Sequence, residues 1–238
     1  KCLSGNAVSS FEFPVSSLPE GRLEIFVKLV TIKGEIFAEY AVPIRKLPYQ
    51  KNEIWRDKEG IWHVDGQKRF ILASWGTDLV SFLSEYNVTV PDGKGMIGKD
   101  MLVNQATIFG ISQLREKLRK YGATPEVLEG YRQIVNRSKN DSRLFAHYLC
   151  DEPDCFGFTA TGLEAVAQVI ADEDPYHPIL ISTGSNGITA YSKAGEINGF
   201  HCYPAPLKGK PMNQFSKIVS LMDKAKDYFK SQNSAQSI

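Results

Sequence analysis

The hydrophobic pattern of this chain changes period near residue 60. Before that point apolar and polar residues alternate. Leu23, Ile25, Val27 and Leu29 fall on one face of an extended segment, and Arg22, Glu24 and Lys28 on the other. Lys33-Gly34 is a turn signal, and Glu35 to Val42 alternates again, so the pattern predicts a β-hairpin. A lone hairpin is marginal in water. Ser10 to Val15 offers one further strand, so the region reads as the C-terminal part of a β-sandwich. Pro43-Ile44-Arg45-Lys46-Leu47-Pro48 follows as an extended linker, because both prolines disfavour helix.

From Ile61 onward short apolar runs alternate with helical stretches, which implies a parallel sheet. Six strands are predicted: Arg69 to Trp75, Asn87 to Pro91, Met101 to Gln105, Leu144 to Leu149, Ile179 to Ser182 and Ile197 to Tyr203. The helices are Asp78 to Tyr86, Ile111 to Tyr121, Pro125 to Asn136, Thr161 to Asp172 and Met212 to Phe229. Thr124 is the expected N-cap of the third, with Pro125 at its first position. Two places break the pattern. Asp92 to Lys99 is shorter than the ~10–12 residues of a parallel crossover. A closed eight-stranded β/α barrel takes ~250 residues, and fewer follow the linker. The expected fold class is therefore α/β, a (β/α)8 TIM-barrel-like domain that is incomplete, preceded by part of a β-sandwich. Residues 1–48 would be sandwich and linker, and 49–238 the first six β/α units of a larger polypeptide.

Charge narrows the partners. Lysine and arginine total 28 against 27 acidic residues, so no basic footprint points to nucleic acid. No apolar run reaches the ~20 residues of a membrane span. Four cysteines are too few for a disulfide-built scaffold. Cys150, Cys155 and Cys202 with His147 and His201 leave a metal cluster open as an alternative. The Cys150–Cys155 separation is not the two-residue zinc spacing, so buried thiols or one disulfide is the stronger reading. Asn87, Asn136 and Asn140 open glycosylation triplets, which matter only in a secreted eukaryotic chain.

The chemistry concentrates after the apolar run at Leu144, where Cys150-Asp151-Glu152-Pro153 follows at once. Carboxylates are costly to bury without partners, and a catalytic acid is one physical reason to place a charge at a strand mouth. Strand then Asp-Glu-Pro resembles the end of barrel strand four in retaining glycoside hydrolases of the large (β/α)8 clan. Val64-Asp65-Gly66-Gln67-Lys68-Arg69 resembles the segment opening such barrels. Asp174-Pro175-Tyr176-His177-Pro178 resembles the junction before strand five, and Gly199-Phe200-His201-Cys202-Tyr203-Pro204 the end of strand six.

The resemblance implies a carbohydrate substrate, a two-carboxylate retaining mechanism, secretion and no metal or organic cofactor. It makes Glu152 the acid/base. Asp151 stands where many members carry an Asn that contacts the sugar 2-hydroxyl, and it can accept but not donate that bond. Trp75, His201 and Tyr203 would line the sugar pocket, with His147 a core residue. The attacking carboxylate of the clan ends strand seven, which is expected past Ile238. Glu164, Glu173 and Glu196 are poorly placed for the role. The alternative is a non-catalytic structural or carbohydrate-binding protein with a degenerate barrel.

Overall fold

The computed structural model describes residues 14–69, 72–73, 88–89, 96–97, 101–104, 112–142, 144–184, 187–200 and 215–231. The chain divides into two compact units, Lys1–Gln50 and Lys51–Ile238. In the first, β1 (Gly21–Val30) and β2 (Ile36–Lys46) form the expected antiparallel hairpin. Gly34 turns it at φ 83°, a conformation that costs glycine little. The partners of Leu23, Ile25, Val27 and Leu29 are Ile44, Val42, Tyr40 and Ala38, so one face is apolar throughout. Lys46 Nζ donates to the carbonyls of Ser16 and Leu18.

The second unit opens with a three-stranded antiparallel sheet, β3 (Ile54–Arg56), β4 (Trp62–Val64) and β5 (Gln67–Arg69). Asp65-Gly66 turns β4 into β5 with both residues at positive φ (51° and 74°), as a two-residue hairpin requires. This corrects one boundary: Arg69 ends the hairpin rather than opening a parallel strand. The parallel pair comes after it, as β6 (Leu72–Ala73) beside β7 (Val88–Thr89).

The main sheet has five strands in the order β12-β11-β10-β9-β8. β9 (Met101–Asn104), β10 (Leu144–Asp151), β11 (Ile179–Thr183) and β12 (Ile197–Phe200) run parallel. β8 (Met96–Ile97) pairs antiparallel with β9. Within the expected break after Pro91, Met96 and Ile97 pair antiparallel with Leu102 and Met101. Among the described residues the sheets do not close into a barrel.

Helices α1 (Ser112–Tyr121), α2 (Pro125–Ser138) and α4 (Ala160–Glu173) lie near the expected bounds, with a short α3 (Pro153–Phe156) between β10 and α4 and α5 (Phe215–Ser231) last. Thr124 caps α2 by accepting from Val127 N–H at 3.4 Å. The basic face of α1 is satisfied locally. Lys117 pairs with Glu126 and Arg119 with Glu116, and Arg115 lies over Phe156 and Phe158. Leu118, Val127, Tyr131, Val135, Leu163, Val166 and Ile170 pack with Ile179 and Ile181 in one core. Phe145, Ala146 and Tyr148 pack with Ile54, Trp62 and Leu180 in another. β10 is covered on both faces, so its residues from Leu144 to Cys150 are all buried.

Candidate functional site

The end of β10 carries the candidate chemistry. Asp151 pairs with Ser182 of β11, and the Glu152 N–H donates to the Ser182 carbonyl at 2.8 Å. Both carboxylates therefore sit at the C-terminal edge of a central parallel strand, level with Ser182 and Thr183 at the end of β11. Glu152 adopts the left-handed conformation (φ 44°, ψ 53°). For a residue with a Cβ this costs roughly 1–2 kcal/mol. Asn52 and Asp65, the other described non-glycine residues there, are short side chains that tolerate it. The conformation is held from both sides, because the Glu152 carbonyl accepts from Cys155 N–H (2.9 Å) and Phe156 N–H (3.2 Å) at the start of α3. Pro153 at the first helical position fits this abrupt entry.

The neighbours of Glu152 are fixed too. The Tyr148 hydroxyl donates to Asp151 Oδ1 at 2.9 Å. Burial pushes the Tyr148 hydroxyl far above its usual range, so it remains a donor. Asp154 Oδ1 accepts from Gly184 N–H at 3.0 Å and ties α3 to the segment after β11. That approach needs glycine, since a Cβ at Gly184 would lie 2.7 Å from Asp154 Oδ2. The rim is a braced set of backbone and side-chain bonds carrying half-buried Asp151, Glu152 and Asp154.

The other expected positions separate. Trp75, His201 and Tyr203 lie outside the described residues. Glu164 and Glu173 belong to α4, and Glu173 is taken up by Arg132 (2.8 Å), Asn136 and Lys139. Glu196 Oε2 accepts from Ile179 N–H at 2.7 Å, at the start of β11 and thus at the opposite edge. The cysteines do not form a metal cluster among the described residues. Cys150 and Cys155 are free thiols, and burial pushes the Cys150 thiol up to about 12. Burial and then Asp154, Glu152 and Asp151 raise the Cys155 thiol as well.

His147 is a core residue as expected, yet it belongs to a cluster that its own position in the sequence does not reveal. His147 Nε2 and His177 Nδ1 each lie 2.8 Å from Asp174 Oδ2, and Asp174 Oδ1 accepts from Tyr176 N–H at 3.3 Å. His147 pairs with Ile179, the first residue of β11. Five residues of strand, roughly 16 Å at ~3.3 Å per residue, therefore separate His147 from Glu152. The signal was present in the Asp174-Pro175-Tyr176-His177-Pro178 junction, whose two ligand-type residues stand three apart.

No protein-family model matches the chain, and no curated protein matches it in sequence. Among solved structures it is similar to three bacterial β-glucuronidases, at low identity and low superposition. The Ruminococcus gnavus β-glucuronidase bound to D-glucuronic acid is 12% identical at TM-score 0.40, over 90% of this chain and 47% of that one. Bacteroides uniformis β-glucuronidase 3, in its apo form, is 10% identical at TM-score 0.42, over 84% and 28%. Bacteroides uniformis β-glucuronidase 2, covalently bound to cyclophellitol-6-carboxylate aziridine, is 12% identical at TM-score 0.41, over 85% and 28%. This chain spans less than half the length of each.

Proposed function

We propose that this chain is part of a retaining glycoside hydrolase acting on an oligo- or polysaccharide, with Glu152 as the acid/base. The observation that carries the reading is the place and conformation of Glu152. It ends a central strand of a parallel sheet, at the edge where β/α enzymes build their sites, in a backbone conformation its neighbours enforce. Costly backbone geometry of this kind clusters at functional positions. In the proposed reaction Glu152 protonates the leaving oxygen and then activates water. Asp151, oriented by Tyr148, accepts a hydrogen bond from a sugar hydroxyl. Trp75, His201 and Tyr203 are proposed to line the sugar pocket. The attacking carboxylate, ~5–5.5 Å from Glu152 in a retaining pair, is assigned to a strand outside the described residues.

The test is the substrate dependence of Glu152→Gln in the intact protein. Only a poor leaving group needs protonation in the transition state. The variant is expected to lose turnover of unactivated glycosides at least ~100-fold, and far less on activated aryl glycosides. Equal losses on both would exclude the acid role. An inactive wild type on a broad glycoside panel would favour the non-catalytic, carbohydrate-binding reading.

A further inference from the structure

The Asp174 cluster lies at the other end of the sheet and does not depend on the glycosidase reading. We propose that His147, Asp174 and His177 bind one divalent transition-metal ion. Two independent observations support it.

The first is donor geometry. Two imidazole nitrogens and a carboxylate converge, with each nitrogen 2.8 Å from Asp174 Oδ2 and His177 Nδ1 2.9 Å from Oδ1. All three residues are nearly inaccessible, at 0%, 2% and 5% exposure for His147, Asp174 and His177. Donor atoms that close, each ~2.1 Å from an ion, subtend about 90° there, the angle between neighbouring octahedral positions. Two histidines and one carboxylate are also the donor set that borderline ions such as iron(II), cobalt(II) and zinc take.

The second is charge. Asp174 is a buried carboxylate that no lysine or arginine reaches among the described residues; its ion-pair partners are the two imidazoles. An ion entering among these donors would meet a buried carboxylate with no lysine or arginine beside it among the described residues.

Each coordinating ring nitrogen must present a lone pair, so a proton on it must leave or move to the ring's other nitrogen. In His177 the other nitrogen is Nε2, buried and without a hydrogen-bond partner among the described residues. His177 also lines a cleft of about 350 Å³ with Trp55, Trp62 and Tyr176. Acidification weakens binding, because protons compete for the same lone pairs.

The experiment uses the untagged full chain, stripped with EDTA and titrated with cobalt(II) and then zinc. One cobalt(II) per chain should bind and develop a visible d–d band that zinc displaces. Zinc at ~100 times Kd should raise Tm by about 5–10 °C. Asp174→Asn should weaken binding at least tenfold. His177→Gln, which keeps a donor toward Asp174 but ligates poorly, should do the same and serves where Asp174→Asn does not fold. A wild type that develops no band and no Tm shift overturns the proposal. So does equal binding by wild type and both variants, which would place the ion elsewhere.

Discussion

Asp174 is held ionised by its neighbours at the residue scale. Burial alone would push its carboxyl up, but hydrogen bonds from His147 and His177 outweigh that and hold it down to about 2, from 3.8. With the folded value depressed, the unfolded chain binds the extra proton in the window between the two values. The stabilisation is therefore complete above about pH 4 and lost as pH falls toward about 2, roughly 2 kcal/mol in all. Urea midpoints measured across that window should fall more steeply for wild type than for Asp174→Asn; parallel curves would remove Asp174 from the acid response. Glu152 was legible before the structure because its motif is contiguous: an apolar run, two acids and a proline. The Asp174 cluster was not, because its third member, His147, is twenty-seven residues away. Their meeting depends on the pairing of β10 with β11.

The elements form where periodicity and caps agree. α4 buries Leu163, Val166, Ala167 and Ile170 against the sheet and exposes Gln168 and Asp172. Leu163 is 1% exposed, so Leu163→Ala should cost about 3 kcal/mol through lost burial and the cavity it leaves. Met222 on α5 is 50% exposed, and Met222→Ala should shift stability by less than about 0.5 kcal/mol. Chemical denaturation of both variants checks the contrast, and similar losses would mean that the core is drawn wrongly. Five of the expected strands, at Asn87, Met101, Leu144, Ile179 and Ile197, recur with boundary shifts. β8 was missed because two residues are too few to show a period. Arg69 was misplaced because β5 and β6 stand only two residues apart in sequence, so one run of residues reads as a single strand.

At the scale of the whole molecule, the two units differ in how their backbone hydrogen bonds are protected. The β1–β2 hairpin leaves Phe26, Val30, Ile36, Phe37 and Tyr40 exposed by more than half, whereas β10 and β11 are covered by helices on one face and by Ile54 and Trp62 on the other. A two-stranded hairpin is marginal by itself, and local opening tracks the number of buried contacts. Amides of β1 and β2 should therefore exchange with deuterium orders of magnitude faster than those of Phe145 to Leu149. Comparable protection would show that the hairpin face is covered in solution. The sequence by itself determined the alternating β/α order, the Thr124 cap, the Asp65-Gly66 turn and the position of Glu152 at a strand end. Each depends on neighbours within a few residues, through side-chain period, backbone φ preference or a missing proline N–H. Tertiary structure alone decided that β8 returns antiparallel and that Glu152 takes a left-handed turn braced by Ser182. It also brought His147 to Asp174 and His177. These outcomes depend on which strands become neighbours, and pairing free energy is collected across distant segments that no local pattern records.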